Sequence, residues 1–251
     1  MAPTSLVWFR NDLRVSDNPA LTAAFQQGGE VRAVYIHETD STLRPIGGAA
    51  RWWLHRSLRA LAEDLAGIGV ELRTATGPAL ATLFSEMERT GATAVFWNRR
   101  YAPAEREIDT AAKARAEKAG MVARSFAANV LVEPFEVTTG SGGPYAVYTP
   151  FWRNLRQRDI PRPLPRPRRR EPITPAVAVD GDYRVPPWAR KLEAYWTVGE
   201  AGAHQALERF LDRHTADYPE TRDIPARDAT SRLLPHLRFG EISPRQVWHA
   251  A

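Results

Sequence analysis

Short apolar runs alternate with helical patterns along the first half of the chain. The apolar runs have strand length and cover Ser5–Phe9, Val31–His37, Val70–Thr74 and Ala94–Trp97. The helical patterns cover Asn18–Gln27, Ala49–Ala66, Pro78–Arg89 and Pro103–Ala119. In the second helical pattern one face carries only apolar residues, namely Trp53, Leu54, Leu58, Leu61 and Leu65. Alternating strands and helices predict an α/β fold, a Rossmann-like parallel sheet with helices on both faces, over residues 1–130.

The pattern changes after residue 130. Glycines and prolines interrupt the periodicity over residues 131–196, which include the arginine–proline run PRPLPRPRRR at 161–170. We interpret this stretch as an inter-domain linker, and we prefer a solvated linker to a nucleic-acid-binding segment. A helical pattern returns in Ala201–His214, and no strand pattern follows it. Residues 197–251 are therefore predicted to begin an all-α domain.

Composition excludes several classes of protein. The 251 residues contain no cysteine, which excludes disulfides, thiolate nucleophiles and cysteine-bound metals. No signal peptide or apolar run of membrane-spanning length is visible, so we expect a cytoplasmic protein that does not associate with membranes. The net charge of +5 comes almost entirely from arginine and suits a polyanionic partner. A bias in genomic composition explains that excess equally well.

Polar residues follow two of the predicted strands. The loop after the first strand reads Arg10-Asn-Asp-Leu-Arg14 and contains no G-x-G-x-x-G motif, which disfavours the usual mode of dinucleotide binding. Asn98, Arg99 and Arg100 follow the fourth strand. Ligands of such folds bind beyond the carboxyl ends of the strands, so these residues predict either a ligand site or ordinary loop polarity.

A pair of hydroxyl residues, Thr230-Ser231, follows Asp228 and opens an apolar helical pattern. The start of a helix offers unpaired backbone N–H groups and the positive end of its dipole. With Arg222 and Arg232 nearby, this predicts a phosphate site. A simple N-cap by Asp228 or Thr230 explains the same residues.

Three separated strings resemble, in the same order, the DNA photolyase/cryptochrome family. They are SLVWFRNDLRVSDNPAL at 5–21, GPYAVYTPFWR at 143–153 and YPETRDIPARDATSRLLPHLRFGEIS at 218–243. The similarity is greatest to prokaryotic cyclobutane-dimer photolyases. It implies light-driven repair of cyclobutane pyrimidine dimers by electron transfer from reduced FAD, with damaged DNA as partner and a monomeric protein. A cryptochrome photoreceptor and a photolyase for the six-four photoproduct remain alternatives. A stand-alone α/β nucleotide-binding protein does not explain the third string.

The resemblance also assigns residues. It implies that FAD, through its phosphates, contacts Tyr218, Thr230, Ser231, Arg232, Leu233 and Leu234. Arg222 corresponds to a DNA-phosphate contact, and Glu105 to a contact with an antenna chromophore. Two positions depart from the family: Leu234 replaces the usual serine, and Ala104 replaces the asparagine of folate-using members. The antenna is therefore left open between methenyltetrahydrofolate, a deazaflavin and none.

The resemblance also sets limits on this chain. It implies that the sequence ends early in the FAD domain and contains no catalytic residue and no metal site. We therefore expect it to be inactive alone, with Leu233, Leu237 and Phe239 lacking partners that would cover them.

Overall fold

A parallel sheet of five strands lies at the centre of the first half of the chain. The computed structural model describes residues 3–168, 171–175 and 179–251. The strands are β1 (Thr4–Phe9), β2 (Glu30–Glu38), β3 (Leu72–Gly77), β4 (Ala92–Asn98) and β5 (Val122–Phe126). Their order is β3-β2-β1-β4-β5, and every pairing is parallel. The chain winds outwards in both directions from β1, so the crevice for a ligand is expected beyond the carboxyl ends of β1 and its neighbours.

Helices cover both faces of the sheet, as predicted. They are α1 (Pro19–Gln27), α2 (Gly48–Ala66), α3 (Ala79–Thr90) and α4 (Pro103–Lys118). Apolar residues of α1 and α2 pack in one core, and those of α3 and α4 pack in a second core on the opposite face. The predicted apolar face of α2 is entirely buried. The Rossmann-like α/β prediction is therefore confirmed.

Two strands differ from the prediction. The edge strand β5 was not predicted, because its sequence VARSF breaks the apolar run with Arg124 and Ser125. An edge strand needs little apolar sequence, and its backbone pairs with β4 from Ala94↔Val122 to Asn98↔Phe126. Strand β3 begins two residues late because Val70 N–H bonds to the carbonyl of Leu65 and so closes the turn after α2.

The second half of the chain is helical. It contains α5 (Tyr148–Leu155), a 3-10 turn (Pro187–Ala189), α6 (Arg190–Glu193), α7 (Glu200–Arg213), α8 (Tyr218–Thr221), α9 (Leu234–Phe239) and α10 (Pro244–Ala250). The predicted linker therefore includes α5 and a short helical stretch as well as extended chain. Part of its arginine–proline run, Arg169 and Arg170, lies outside the described residues.

The loop after β1 joins the two halves. Arg14 is fully buried and donates hydrogen bonds to the carbonyls of Asp17, Ala128 and Gly240. Burial lowers the pKa of Arg14, against the opposing effect of Asp17 and other carboxylates. Asp17 in turn accepts from Arg245. These contacts hold the helical half against the α/β half through polar groups that are removed from water.

The expectation that Leu233 and Phe239 lack partners is wrong. Leu233 is 4% exposed and packs in a small cluster with α7, and Phe239 is 6% exposed. Phe239 stacks on Trp53 of α2 with ring centroids 6.3 Å apart. Leu237 and Leu234 remain 36% and 80% exposed, so only the outer face of α9 is uncovered. Trp53 of the α/β half buries Phe239, and the sequence pattern of the helical half alone could not predict this contact.

Candidate cofactor sites

A cavity of about 1610 Å³ lies beyond the carboxyl ends of β1 to β4. Arg10, Asn11 and Arg100 line it, as the residues after strands β1 and β4 were predicted to do. Other predicted strand-end residues are used in the fold instead. The side chain of Asn98 donates to Asp12 at 2.6 Å, and Arg99 donates to Glu133 at 2.8 Å. The cavity therefore lies where the sheet topology predicts a ligand crevice.

Two buried arginines form the floor of the cavity. The guanidinium of Arg10 binds Asp109 at 2.9 and 3.1 Å and lies 4.1 Å from the ring centre of Trp8. Arg100 contacts Glu38 at 2.6 Å. Burial works to lower the pKa of Arg100, but Glu38 and the other acids outweigh it, so its pKa is raised. Both arginines are thus held as fixed cations at this edge of the sheet.

The cavity wall formed by residues 180–184, which we call the Asp180 wall, comes from the linker. Asp180 accepts two hydrogen bonds from Arg51, both at 2.6 Å. His55 Nδ1 lies 2.9 Å from one carboxylate oxygen and His37 Nε2 lies 3.0 Å from the other. Burial works to raise the pKa of Asp180, but these three partners together hold it well below its usual value. The Asp180 wall is therefore fastened to α2 and β2 by one charged carboxylate.

Aromatic and cationic side chains complete the lining. Tyr35, Tyr183 and Phe239 are its aromatic members. Burial and the nearby Glu38 raise the pKa of Tyr35, so that its phenol stays protonated at neutral pH. The arginines that border the cavity, beyond those of the floor, are Arg44, Arg51, Arg184 and Arg238. The aromatic side chains suit a conjugated ring system, and the arginines suit an anionic group attached to it.

Glu105 and Ala104, the predicted antenna positions, both border this cavity. Glu105 lies in the first turn of α4, with one oxygen 4.0 Å from Arg100. The structure therefore brings Glu105 to the same cavity as the strand-end arginines. Its role toward a chromophore stays a prediction.

Tyr218 and Arg222 lie on and just after the one-turn helix α8. Tyr218 is 36% exposed and packs edge-on against Phe210 at 5.4 Å. Arg222 Nε lies 3.5 Å from Asp223, with 54% of the Arg222 side chain exposed. Such an ion pair is weak in water. Arg222 also lies 6.0 Å from the ring centre of Tyr218, and its contact with DNA phosphate stays a prediction.

The helix predicted to begin after Asp228 begins instead at Leu234. Pro235 has no N–H to bond to the carbonyl of Ser231, so a helix that began at Thr230 or Ser231 would lose a hydrogen bond. No side chain caps α9, so the N-cap interpretation of Asp228 and Thr230 is wrong. Asp228 pairs with Arg232 at 3.0 Å, and Arg232 has a left-handed backbone (φ 54°). Thr230 to Leu234 comprise a loop and the first residue of α9. We call this segment the flavin-phosphate loop after the FAD contact predicted for it, and that contact stays a prediction.

Sequence reasoning did not find the residues that hold the Asp180 wall. Asp180, Arg51, His37 and His55 are far apart along the chain and form no motif. The sequence signal is weak, because β2 and α2 carry several other polar residues besides His37 and His55. Among the described residues, no group of three or more acidic, histidine or cysteine side chains is arranged to hold a metal ion. In the same residues no helix is long and apolar enough to cross a bilayer.

Comparison with known proteins identifies the family. The family model described as DNA photolyase matches residues 5–168. The chain belongs to the DNA photolyase family. It is 44% identical to a deoxyribodipyrimidine photo-lyase of Agrobacterium fabrum over 98% of the chain and 52% of that protein. It is 34% identical to Cryptochrome-1 of Arabidopsis thaliana over 98% of the chain and 37% of that protein.

The fold agrees with this membership. A crystal structure of a bacterial class III photolyase from Agrobacterium tumefaciens superimposes with a TM-score of 0.91 at 43% identity. The match covers 100% of this chain and 53% of that structure. The chain thus spans about half the length of the photolyases that it matches.

Proposed function

We propose that this sequence works within a protein that repairs cyclobutane pyrimidine dimers in DNA by light-driven electron transfer from reduced FAD. The observation that carries the proposal is the 44% identity to a deoxyribodipyrimidine photo-lyase over 98% of the chain. Bound FAD would supply the light absorption and the electron. The part of this chain is to hold the phosphate end of FAD, to contact DNA phosphate and to carry a second chromophore.

The flavin-phosphate loop fits the phosphates of FAD. Thr230 and Ser231 offer hydroxyl donors from an exposed or half-exposed loop, and Arg232 brings a cation and a left-handed turn beside them. The backbone N–H groups of Arg232 and Leu234 precede the first intrahelical hydrogen bond and can serve as donors, while the N–H of Leu233 donates to the hydroxyl oxygen of Ser231 at 3.4 Å. Leu234 adds no hydroxyl, and it is 80% exposed at the start of α9.

The cavity fits an antenna chromophore. Pockets for small molecules commonly enclose roughly 300–1000 Å³, so this cavity of about 1610 Å³ has room for a conjugated ring and a long polar tail. Its tyrosines and Phe239 would face the ring, and its arginines would face anionic groups. Methenyltetrahydrofolate and a deazaflavin cofactor both have this combination. Glu105 is the carboxylate that could accept from an amide of a pterin.

The repair proposal is tested on protein that includes the flavin domain of the same gene product. Reduced, FAD-loaded protein is illuminated with oligonucleotides that carry either a cyclobutane dimer or a six-four photoproduct. We expect the first lesion to be reversed and the second to persist. Reversal of the six-four lesion alone would show that the substrate is the six-four photoproduct and not the cyclobutane dimer.

Replacement of Thr230 and Ser231 together by alanine tests the flavin-phosphate loop. The loss of both hydroxyls should weaken FAD binding by about 1–3 kcal/mol. Flavin content after dialysis measures the effect. Unchanged content would show that these hydroxyls do not contact FAD.

A cryptochrome photoreceptor is the second candidate, favoured by the 34% identity to Cryptochrome-1 of Arabidopsis thaliana. Both candidates bind FAD in the proposed way and differ in output. Illumination that reduces the flavin but reverses neither lesion would support the photoreceptor.

The antenna proposal is tested on this chain by titration with methenyltetrahydrofolate and with a deazaflavin. Binding of one compound should be saturable and should weaken in Glu105→Gln if the carboxylate accepts from the ring. Saturable binding that does not respond to Glu105→Gln would remove Glu105 from the site. Absence of binding by both compounds would refute the antenna proposal for the cavity.

A further inference from the structure

Glu241 is a fully buried carboxylate that holds two partners from different halves of the chain. One oxygen accepts a hydrogen bond from Trp53 Nε1 at 2.9 Å. The other lies 2.5 Å from His236 Nδ1. Trp53 belongs to α2 and His236 to α9. A carboxylate removed from water is stable only when its oxygens are paired, so this pairing fixes α9 relative to α2.

The same end of α9 is attached to the loop after β1. Leu13 N–H donates to the carbonyl of Phe239 at 3.1 Å, and Arg14 donates to the carbonyl of Gly240 at 2.9 Å. Gly240 has a left-handed backbone (φ 67°), and a Cβ added there would lie 2.0 Å from the carbonyl oxygen of Asn11. This end of the helix is therefore in direct backbone contact with the α/β half.

The other end of α9 meets the flavin-phosphate loop. Leu237 N–H donates to the carbonyl of Leu233 at 2.8 Å, and Leu233 is 4% exposed. The helix has six residues and is roughly 9 Å long at 1.5 Å per residue. With so few turns, movement at Glu241 is passed to Leu233, two residues beyond Ser231.

We propose that Glu241 is a positioning residue that couples the cavity to the flavin-phosphate loop through α9. Arg238 and Phe239, near the fixed end of the helix, line the cavity, while Leu233 and Leu234 belong to the loop. The assignment of FAD to that loop rests on the proposed function. Occupancy of the cavity and binding of FAD would then be linked, each changing the affinity of the other by the same factor.

Trp53→Phe tests the coupling, with Trp52→Phe as a matched control. Trp52 is the adjacent residue, is 1% exposed, and has an indole N–H with no hydrogen-bond partner among the described residues. Both changes remove the same atoms, but only Trp53→Phe leaves an oxygen of Glu241 unpaired. Hydrogen exchange of the Leu237 amide should accelerate about tenfold in Trp53→Phe and by less than twofold in Trp52→Phe. Equal acceleration in the two variants would overturn the proposal.

Glu241→Gln provides an independent variant and completes a double-mutant cycle. If Trp53 acts on α9 through Glu241, the two changes together should accelerate Leu237 exchange less than the product of their separate effects. Effects that multiply fully would show that Trp53 stabilises α9 by packing alone, which would overturn the role of Glu241.

FAD affinity separates this proposal from the proposed function. In protein with the flavin domain, the dissociation constant for FAD should rise about tenfold in Trp53→Phe relative to Trp52→Phe. If Thr230 and Ser231 prove irrelevant to FAD while Leu237 exchange responds to Trp53, the flavin assignment fails and the mechanical coupling stands. If the hydroxyls matter and Leu237 does not respond, the coupling fails and the flavin assignment stands.

Discussion

Replacement of Asp180 by asparagine should loosen the Asp180 wall and destabilise the fold. The carboxylate accepts two hydrogen bonds from Arg51 and contacts His55 and His37, while only 4% of its side chain is exposed. Asparagine keeps one acceptor oxygen and turns an N–H₂ group toward these donors. Hydrogen bonds to charged groups contribute roughly 1.5–3 kcal/mol each, and Arg51 keeps some access to water. We therefore expect a loss of about 2–4 kcal/mol at pH 7.

The pH dependence gives this prediction a second test. The pKa of Asp180 is lowered in the folded state, so its contribution is complete above the ordinary aspartate value of roughly 4. It is lost as the pH falls through the folded-state value, because the protonated carboxyl no longer pairs with Arg51. The difference between wild type and Asp180→Asn should thus shrink as the pH falls below about 4.

Urea unfolding followed by tryptophan fluorescence measures both effects. Asp182→Asn is the matched control, since Asp182 is an exposed acid in the same wall and should cost less than about 0.5 kcal/mol. Equal midpoints for Asp180→Asn and wild type at pH 7 would refute the argument. So would a difference that grows as the pH falls below about 4.

Two further predictions concern other parts of the chain. Gly240→Ala should cost about 3 kcal/mol or more, because alanine adds left-handed strain and a Cβ at 2.0 Å from Asn11. Gly91→Ala, with φ 63° and open space, should cost only about 1 kcal/mol, and thermal unfolding of the two compares them. Similar losses would show that the crowding at Gly240 is relieved. In protein with the flavin domain, Arg222→Ala should weaken binding of damaged and undamaged DNA alike and lower the salt slope by about one, while Arg222→Lys keeps the slope. A loss confined to damaged DNA would contradict a phosphate contact.

The sequence was sufficient for elements whose apolar pattern serves one simple core. The buried strands β1, β2 and β4 carry continuous apolar runs, and α2 has a continuous apolar face. Strand β5 was missed because an edge strand depends on backbone pairing with β4 more than on apolar residues. The start of α9 was placed too early because apolar spacing was weighed above the restriction imposed by Pro235.

The cavity was only partly predictable. Residues that follow strands in sequence, such as Arg10 and Arg100, could be placed at one edge of the sheet from the parallel topology alone. The Asp180 wall could not be placed in this way, because Asp180 and Arg51 are 129 positions apart in the sequence and belong to no local pattern. Long-range polar pairs of this kind depend on how the linker folds back, and the composition of the linker does not record its path.

The last contacts of the loop after β1 can form only after residues near position 240 have been synthesised. Asp17 meets Arg245 across 228 positions, and Arg14 meets Gly240 across 226. At roughly 5–20 residues per second, a ribosome needs about 10–45 s to make the partners of this loop. Ala128 and Leu164, which also bind Arg14 and Asp17, are made earlier, but until residue 245 is made neither side chain has its full set of partners. The burial of these two charged side chains can therefore be completed only after all five strands of the sheet have been made.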